Sequence, residues 1–403
     1  MGRLFLPLVL HLMRVESHSL CTVEFIASRQ SYEWLCDALD VYKPKQSEYG
    51  RLNMQGTVMS KRKILALVNE GYVSGWDDPR LFTLIALRRR GVPPGAIRSF
   101  VGGLGVSTST SNIQTVRFEQ SVRQYLENSA PRLFMVLRPL KVTIENLSDD
   151  YVLMVEKNLH PKVPELGTTT IPFTRTIYID ADDFRLEDSK DYFRLAPGKS
   201  VGLFQGPHPI TCTSYKTHPV SGEVVELVCR LENTGPTKKP KAFIQWVAEH
   251  LPSGSPVQVD ETRIFHQLFK SDNPLSATPD FKADINPNSL EVIKGAMVEI
   301  GFWALAKRLL AEARQEARLR TAAAIKNSPD APQEDTPHAT IEQLVGKECM
   351  RFQGLRVAYF ALDKDARVAC LDEADDVAPV RGQGDFIVLN RIVSLKEDSG
   401  KLA

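Results

Sequence analysis

Three observations predict a multidomain α+β fold, with helices gathered early and two β-barrels after them. The chain has 403 residues, more than one ordinary core accommodates, so two to four domains are expected. Helix-favouring segments punctuated by Gly and Pro cluster between residues 63 and 127. After Arg132, runs rich in Val, Ile, Thr and aromatics recur between Pro, Gly, Asp and Asn, the pattern of an all-β region.

Residues 24–39 read as a strand and a short helix, with Tyr32, Trp34, Leu35 and Leu39 at its apolar positions; residues 43–59 are loop and strand. KILALVNE at 63–70 is helical and stopped by Gly71, the residue preferred just past a helix end. Further helices are expected at 79–90, ended by Gly91-Val92-Pro93-Pro94, at 96–104, and at 114–127 with Val116, Val122, Tyr125 and Leu126 facing the core. KVTIENL, YVLMVEK, TTTIPFTRTIYID, SVGLF, PITCTSYKT, EVVELVCRLE and KAFIQWVAE are the expected strands of one β-region. A second β-region spans 257–269 and 344–396, which favours two packed barrels over one sheet. Between its parts, 304–326 is an Ala/Arg/Glu/Leu helix former and 327–339 is Pro/Asp/Ser-rich. This segment reads as a helical and disordered surface elaboration at about 303–340.

Net charge is +1, but residues 43–132 hold 14 Lys and Arg against 6 Asp and Glu, a local +8. Such asymmetry suits a nucleic-acid or nucleotide face; a solvated helical surface gives it too. The cysteines at 21, 36, 212, 229, 349 and 370 form no C-x-x-C pair, which points to reduced thiols in a cytoplasmic protein and away from zinc sites or disulfides. No apolar run reaches the ~20 residues of a membrane span. Residues 1–13, with Arg3 before LFLPLVLHLM, imitate a short secretory segment, but RVESHSL follows without a small-residue cleavage site.

The sharpest local signal is Val58-Met59-Ser60-Lys61-Arg62-Lys63, directly before a helix. A hydroxyl and several cations at a helix N-terminus suit a phosphate, because open backbone N–H groups and the helix dipole add to the side-chain charge. Lys61 would stabilise phosphate charge during displacement and Ser60 would donate a hydrogen bond, with no protein nucleophile needed. Alone, the hexapeptide fits equally a basic turn opening a solvated helix.

Its surroundings are more specific. Gly56-Thr57-Val58-Met59-Ser60-Lys61-Arg62 resembles the KMSKS loop of class I aminoacyl-tRNA synthetases in a VMSKR form. GWDDPRLFTL and ALRRRG follow, in wording similar to the glutamine/glutamate branch and closer to its glutaminyl-tRNA synthetases. SHSLCTVEF from Ser17, YGRLN from Tyr49, KAFIQWV from Lys241 and FIVLNRIVSLK from Phe386 also resemble that family.

The resemblance implies a remnant of a Rossmann-type catalytic domain at 18–75, a helical connector at 76–132, and anticodon-binding barrels at 133–256 and 257–403, with 1–17 unmatched. It implies that Met59, Ser60 and Lys61 hold ATP phosphates, that Arg51, Leu52 and Thr22 line the nucleotide, and that Arg132 contacts the anticodon. Gln353 and Arg356 match a Q-x-x-R pair that reads an anticodon base, a role suited to amide and guanidinium donors. The implied activity is ligation of glutamine to tRNA(Gln) through an aminoacyl-adenylate, with ATP and Mg²⁺ and no protein-bound metal, by a cytoplasmic monomer. The sequence contains no HIGH-type or H-x-G-H motif, so the expectation is a truncated or mis-spliced form, inactive alone. A non-catalytic tRNA-binding module and the glutamate-specific enzyme are the alternatives.

Overall fold

The computed structural model describes residues 18–232, 240–277, 279–327, 340–372 and 381–396. The expectations for the apolar run at 1–13 and for the Pro/Asp/Ser-rich 328–339 lie outside these residues.

Two parallel strands open the fold, β1 (His18–Thr22) and β2 (Lys45–Tyr49), with Thr22 opposite Tyr49. Parallel strands need a crossover, supplied by the turn Val23–Ser28 and helix α1 (Arg29–Ala38). The strand expected from residue 24 is thus displaced upstream. Tyr32 and Cys36, four apart, form the buried face of α1. Trp34 and Leu39, expected inside, are 69% and 48% exposed.

Strand β3 (Leu52–Met54) pairs in parallel with β4 (Ser111–Ile113), spanning the helical block between them. Helix α2 (Lys61–Asn69) follows Ser60 directly and ends before Gly71, whose φ is +75°. Helix α3 (Leu84–Arg90) is shorter than the expected 79–90. Arg80 is bonded to Asp78 in a preceding turn, and the helix starts at Thr83, whose hydroxyl accepts from Ala86 N at 3.1 Å. Helix α4 (Pro94–Gly102) begins on a proline, as suits a first helical position. In α5 (Thr115–Glu127) the buried stripe is Phe118, Val122 and Leu126; Val116 and Tyr125, expected inside, are 37% and 40% exposed.

The first β-region is a seven-stranded sheet in the order Phe243–Ile244, Ser200–Leu203, Ile210–Thr217, Val224–Leu231, Pro139–Ile144, Thr176–Asp180, Val247–Ala248. Its edge strands are neighbours in sequence, separated only by Gln245 and the fully buried Trp246. A separate hairpin, Val152–Asn158 with Thr168–Thr174, packs beside it.

The second β-region has a six-stranded sheet of Leu290–Ile293, Glu261–Phe265, Val388–Ser394, Ala358–Leu362, Arg351–Gly354 and Arg132–Leu133, and a three-stranded sheet of Val257–Val259, Ala296–Val298 and Met135–Val136. Residues 132–136 therefore contribute to both sheets of the second region although they precede the first in sequence.

Helix α6 (Gly301–Asn327) corrects the start of the elaboration read at 303–340. Phe302, Trp303, Leu305, Ala306 and Leu310 are buried in the core of the second β-region with Phe352 and Phe360. An Ala-rich composition concealed the large side chains at its start. From Ala311 to Ala323 no residue is buried.

Candidate functional site

The carboxyl ends of β1 and β2, at Thr22 and Tyr49, open on a cleft of ≈ 1210 Å³, where open parallel sheets commonly hold ligands. It is lined by Thr22, Arg51, Leu52, Met59 and Ser60, five of the six residues expected at a nucleotide. Gly50 lets the chain enter this wall: its N–H donates to Ser107 O at 2.6 Å, and a Cβ there would overlap the Ser109 carbonyl. Arg51 Nε lies 2.6 Å from Glu24 Oε1. The Thr22 hydroxyl, with Arg51 behind it, holds the Glu24 carboxyl below its ordinary value.

Ser60 stands at the N-cap of α2 in extended conformation, and its hydroxyl makes no capping bond. The first amides of the helix thus lack a side-chain acceptor from the cap. Lys61 is exposed at the first helical position and lies just outside the cleft lining. The VMSKR segment is anchored by Val58, buried with Ile64, Leu67, Leu268, Phe269 and Phe281, and by Gly56 N donating to Asp272 O at 2.8 Å. The second β-region therefore grips the loop and adds Asp272, Asn273, Pro274 and Leu275 to the cleft wall. Sequence reasoning missed this contribution, because the contact joins residues more than two hundred positions apart.

The other expected residues meet in the second sheet. Arg132 and Gln353 are direct partners across a parallel strand pair, so both side chains leave the same face of the sheet. Gln353 is 7% exposed, and its Oε1 has no hydrogen-bond partner among the described residues. It is not the exposed strand residue that an ordinary surface would supply. The Arg132 guanidinium lies against His160, with Nη2 3.3 Å from Nε2. His160 Nδ1 accepts from Lys162 N at 3.1 Å, which leaves Nε2 to carry the proton and donate to Glu127 O at 2.8 Å. Two donors then face each other across the Arg132 contact, so His160 packs against the guanidinium without accepting from it.

Arg356 occupies the turn after Gln353 with φ +62°, a left-handed conformation that costs a side-chain-bearing residue energy. Its guanidinium donates to Phe243 O and lies 5.4 Å over the Phe204 ring, bridging the two β-regions.

The +8 stretch is not a continuous basic face. Arg80, Arg89, Arg90 and Arg123 have side chains only 10–13% exposed and pair internally. Arg89 binds Asp77, Asp363 and Asp365, while Arg88 Nε meets Glu348 Oε1 at 2.5 Å. The LRRRG segment fastens the helical block to the second β-region, and Gly91 completes the fit. At φ +97° it sits where a Cβ would overlap Ala361.

Three family models match the chain, all described as tRNA synthetases class I (E and Q). The catalytic domain covers residues 5–128, beginning inside the segment expected to be unmatched, and two anticodon-binding domain models cover 130–232 and 243–308. Among relatives, the "Probable glutamine--tRNA ligase" of Schizosaccharomyces pombe is 47% identical over 386 residues, 96% of this chain and 43% of the relative. The "Glutamine--tRNA ligase" of Saccharomyces cerevisiae is 45% identical over 390 residues, again 96% of this chain and 44% of the relative. The "Glutamine--tRNA ligase, cytoplasmic" of Arabidopsis thaliana is 38% identical over 389 residues, 96% of this chain and 41% of the relative. The chain thus spans less than half the length of these relatives.

Proposed function

Because the chain belongs to the class I tRNA synthetases of the E and Q group, we propose that it carries the tRNA-binding part and one wall of the ATP site of a glutamine--tRNA ligase. In this reading Thr22, Arg51 and Leu52 line the nucleotide, and Met59, Ser60 and Lys61 meet its phosphates. ATP enters with Mg²⁺ as substrate. The hydroxyl-lined cleft and the uncapped start of α2 suit such a ligand.

The two β-regions, taken here as the anticodon-binding barrels, hold tRNA(Gln) through Arg132, Gln353 and Arg356. The first sheet supports a barrel in that its edge strands are consecutive in the chain. Residues 18–75 then have a Rossmann-type origin, 76–132 form a connector, and the barrels run over 133–256 and 257–403, with Arg132–Leu133 and Met135–Val136 lending their strands to the second. The protein acts as a cytoplasmic monomer, and no helix among the described residues is long and apolar enough to cross a membrane.

The observation that supports the reading most is the pairing of Arg132 with Gln353, which sets a guanidinium and an amide side by side on one face of the sheet. Donor groups so placed suit the edge of an unstacked base.

The test is binding of tRNA(Gln) transcripts with native and substituted anticodons. Gln353→Ala lowers the preference for the native anticodon roughly tenfold, the scale of a lost buried hydrogen bond. Equal losses for both RNAs would refute base reading. Glutamine-dependent pyrophosphate exchange separates enzyme from binding module. With no HIGH-type motif in its sequence, the 403-residue chain alone stays at background, because an unplaced reactant forfeits the effective molarity of the site.

A further inference from the structure

Lys157 and Glu299 form an ion pair at 3.2 Å, each side chain only 2% exposed, remote from the nucleotide cleft and outside the candidate base-reading set. Burying two charges is costly, and a pair of this kind persists only where further hydrogen bonds complete it. Those bonds converge on the segment holding Arg132. Lys157 Nζ donates to Arg132 O at 2.9 Å and stands 4.6 Å over the Phe134 ring. Glu299 Oε2 accepts from Phe134 N at 2.7 Å. Burial raises the Glu299 carboxyl, with Lys157 opposing, and its Oε1 has no partner among the described residues.

The same hairpin strand holds the other side of Arg132. Two residues beyond Lys157, Leu159 lies just past the strand end, and its carbonyl accepts from Arg132 N at 2.6 Å. One residue further, His160 packs against the guanidinium. Gln353 is registered on this segment in turn, its N–H donating to Pro131 O at 2.8 Å. Backbone amide and carbonyl of Arg132 are thus both fixed by the end of one strand, and that strand end is fixed by Glu299 at the entrance to α6.

We propose that Lys157, held by Glu299, is a positioning residue that sets the height and direction of Arg132 beside Gln353, and through them the fit to an RNA base. The proposal rests on the reading of Arg132 and Gln353 as anticodon contacts. A base contact tolerates little displacement, since hydrogen bonds weaken steeply away from their preferred geometry. Neither ion-pair partner touches the RNA; the pair acts on preference between RNAs and leaves general attraction to phosphates alone.

The experiment uses the full chain carrying Lys157→Met together with Glu299→Gln. The double substitution removes both charges, and the introduced amide carbonyl still offers Phe134 N an acceptor. Lys157→Met alone strands a buried carboxylate and serves as the folding comparison. Amide hydrogen exchange is followed at Arg132 and Gln353, and binding is measured with tRNA(Gln) transcripts of native and substituted anticodon. The expected result is exchange faster by roughly tenfold at both amides, a roughly fivefold to tenfold loss of preference, and unchanged affinity for the substituted transcript. Unchanged exchange in the folded double variant overturns the proposal. So does faster exchange with preference intact, where Arg132→Ala abolishes that preference. If Arg132→Ala itself leaves preference untouched, the base-reading assignment fails, and the exchange rates alone decide whether Lys157 positions this strand.

Discussion

Replacing Arg89 by alanine removes the hub between the helical block and the second β-region. Its guanidinium grips Asp363 twice, at 3.1 and 3.2 Å, and reaches Asp365 at 2.6 Å and Asp77 at 3.3 Å. Asp363 is fully buried, so its charge depends on these donors. After the substitution it keeps Arg263 Nη1 at 3.4 Å, the Asp365 amide at 2.8 Å and the Asn390 side chain. Breaking a buried pair from one side costs about 3–5 kcal/mol, and the surviving donors place Arg89→Ala near about 3 kcal/mol. With a urea m-value of about 3 kcal/mol/M for a chain of this size, the midpoint of the transition that exposes the second β-region falls by about 1 M. The same variant is assayed for tRNA affinity across salt. An arginine on a phosphate adds about 0.7–0.9 to the log–log slope; an internal one adds nothing. An unchanged urea midpoint with a slope reduced by about one phosphate would refute the inward assignment of this arginine.

Burial pushes the Asp183 carboxyl up to about 6, against the opposing charge of Arg194 at 2.8 Å. The folded state therefore keeps a proton that the unfolded chain releases near 3.8, and stability falls as pH rises from about 4 to 6. Asp183→Asn removes that fall, gaining about 1–2 kcal/mol at pH 7 in urea titrations. Arg356→Gly relieves the left-handed strain while losing the contact to Phe243 O, so stability is expected to stay within about 1 kcal/mol while preference for the native anticodon drops; paired melting and binding measurements check both. Replacing residues 312–339 by a short Gly/Ser linker leaves the melting temperature nearly unchanged, whereas starting the replacement at 304 deletes Leu305 and Leu310 from the core at about 2–5 kcal/mol each. Equal melting temperatures for the two linkers would contradict the packing of α6.

The strand runs after Arg132 were legible because alternation and turn residues act locally; YVLMVEK and EVVELVCRLE lie on Val152–Asn158 and Val224–Leu231. The face of α5 was less so. A 3.6-residue period admits more than one stripe, and only the neighbouring Phe82 and Phe100 select Phe118. Arg88 and Arg89 looked like surface charge because their partners Glu348, Asp363 and Asp365 come from the distant second β-region, whereas Arg80 and Arg90 meet Asp78 and Glu119 closer in the chain. At the candidate site, five of six nucleotide-lining residues fall in one cleft, while Lys157, Glu299 and His160 left no local signal, each being defined by a partner remote in sequence.

The early placement of residues 132–136 in the second β-region has a consequence for synthesis. Arg132–Leu133 pairs with Gln353–Gly354, and Met135–Val136 pairs with Ala296–Val298. On a ribosome adding about 5–20 residues per second, roughly 10–45 s separate the emergence of residue 136 from that of the later partner strand, Arg351–Gly354. For that interval the first β-region can form while the segment leading into it waits with unpaired backbone groups. A nascent chain in this state exposes strand edges of the kind that recruit chaperones or neighbouring chains, and slower translation through 232–354 lengthens the exposure.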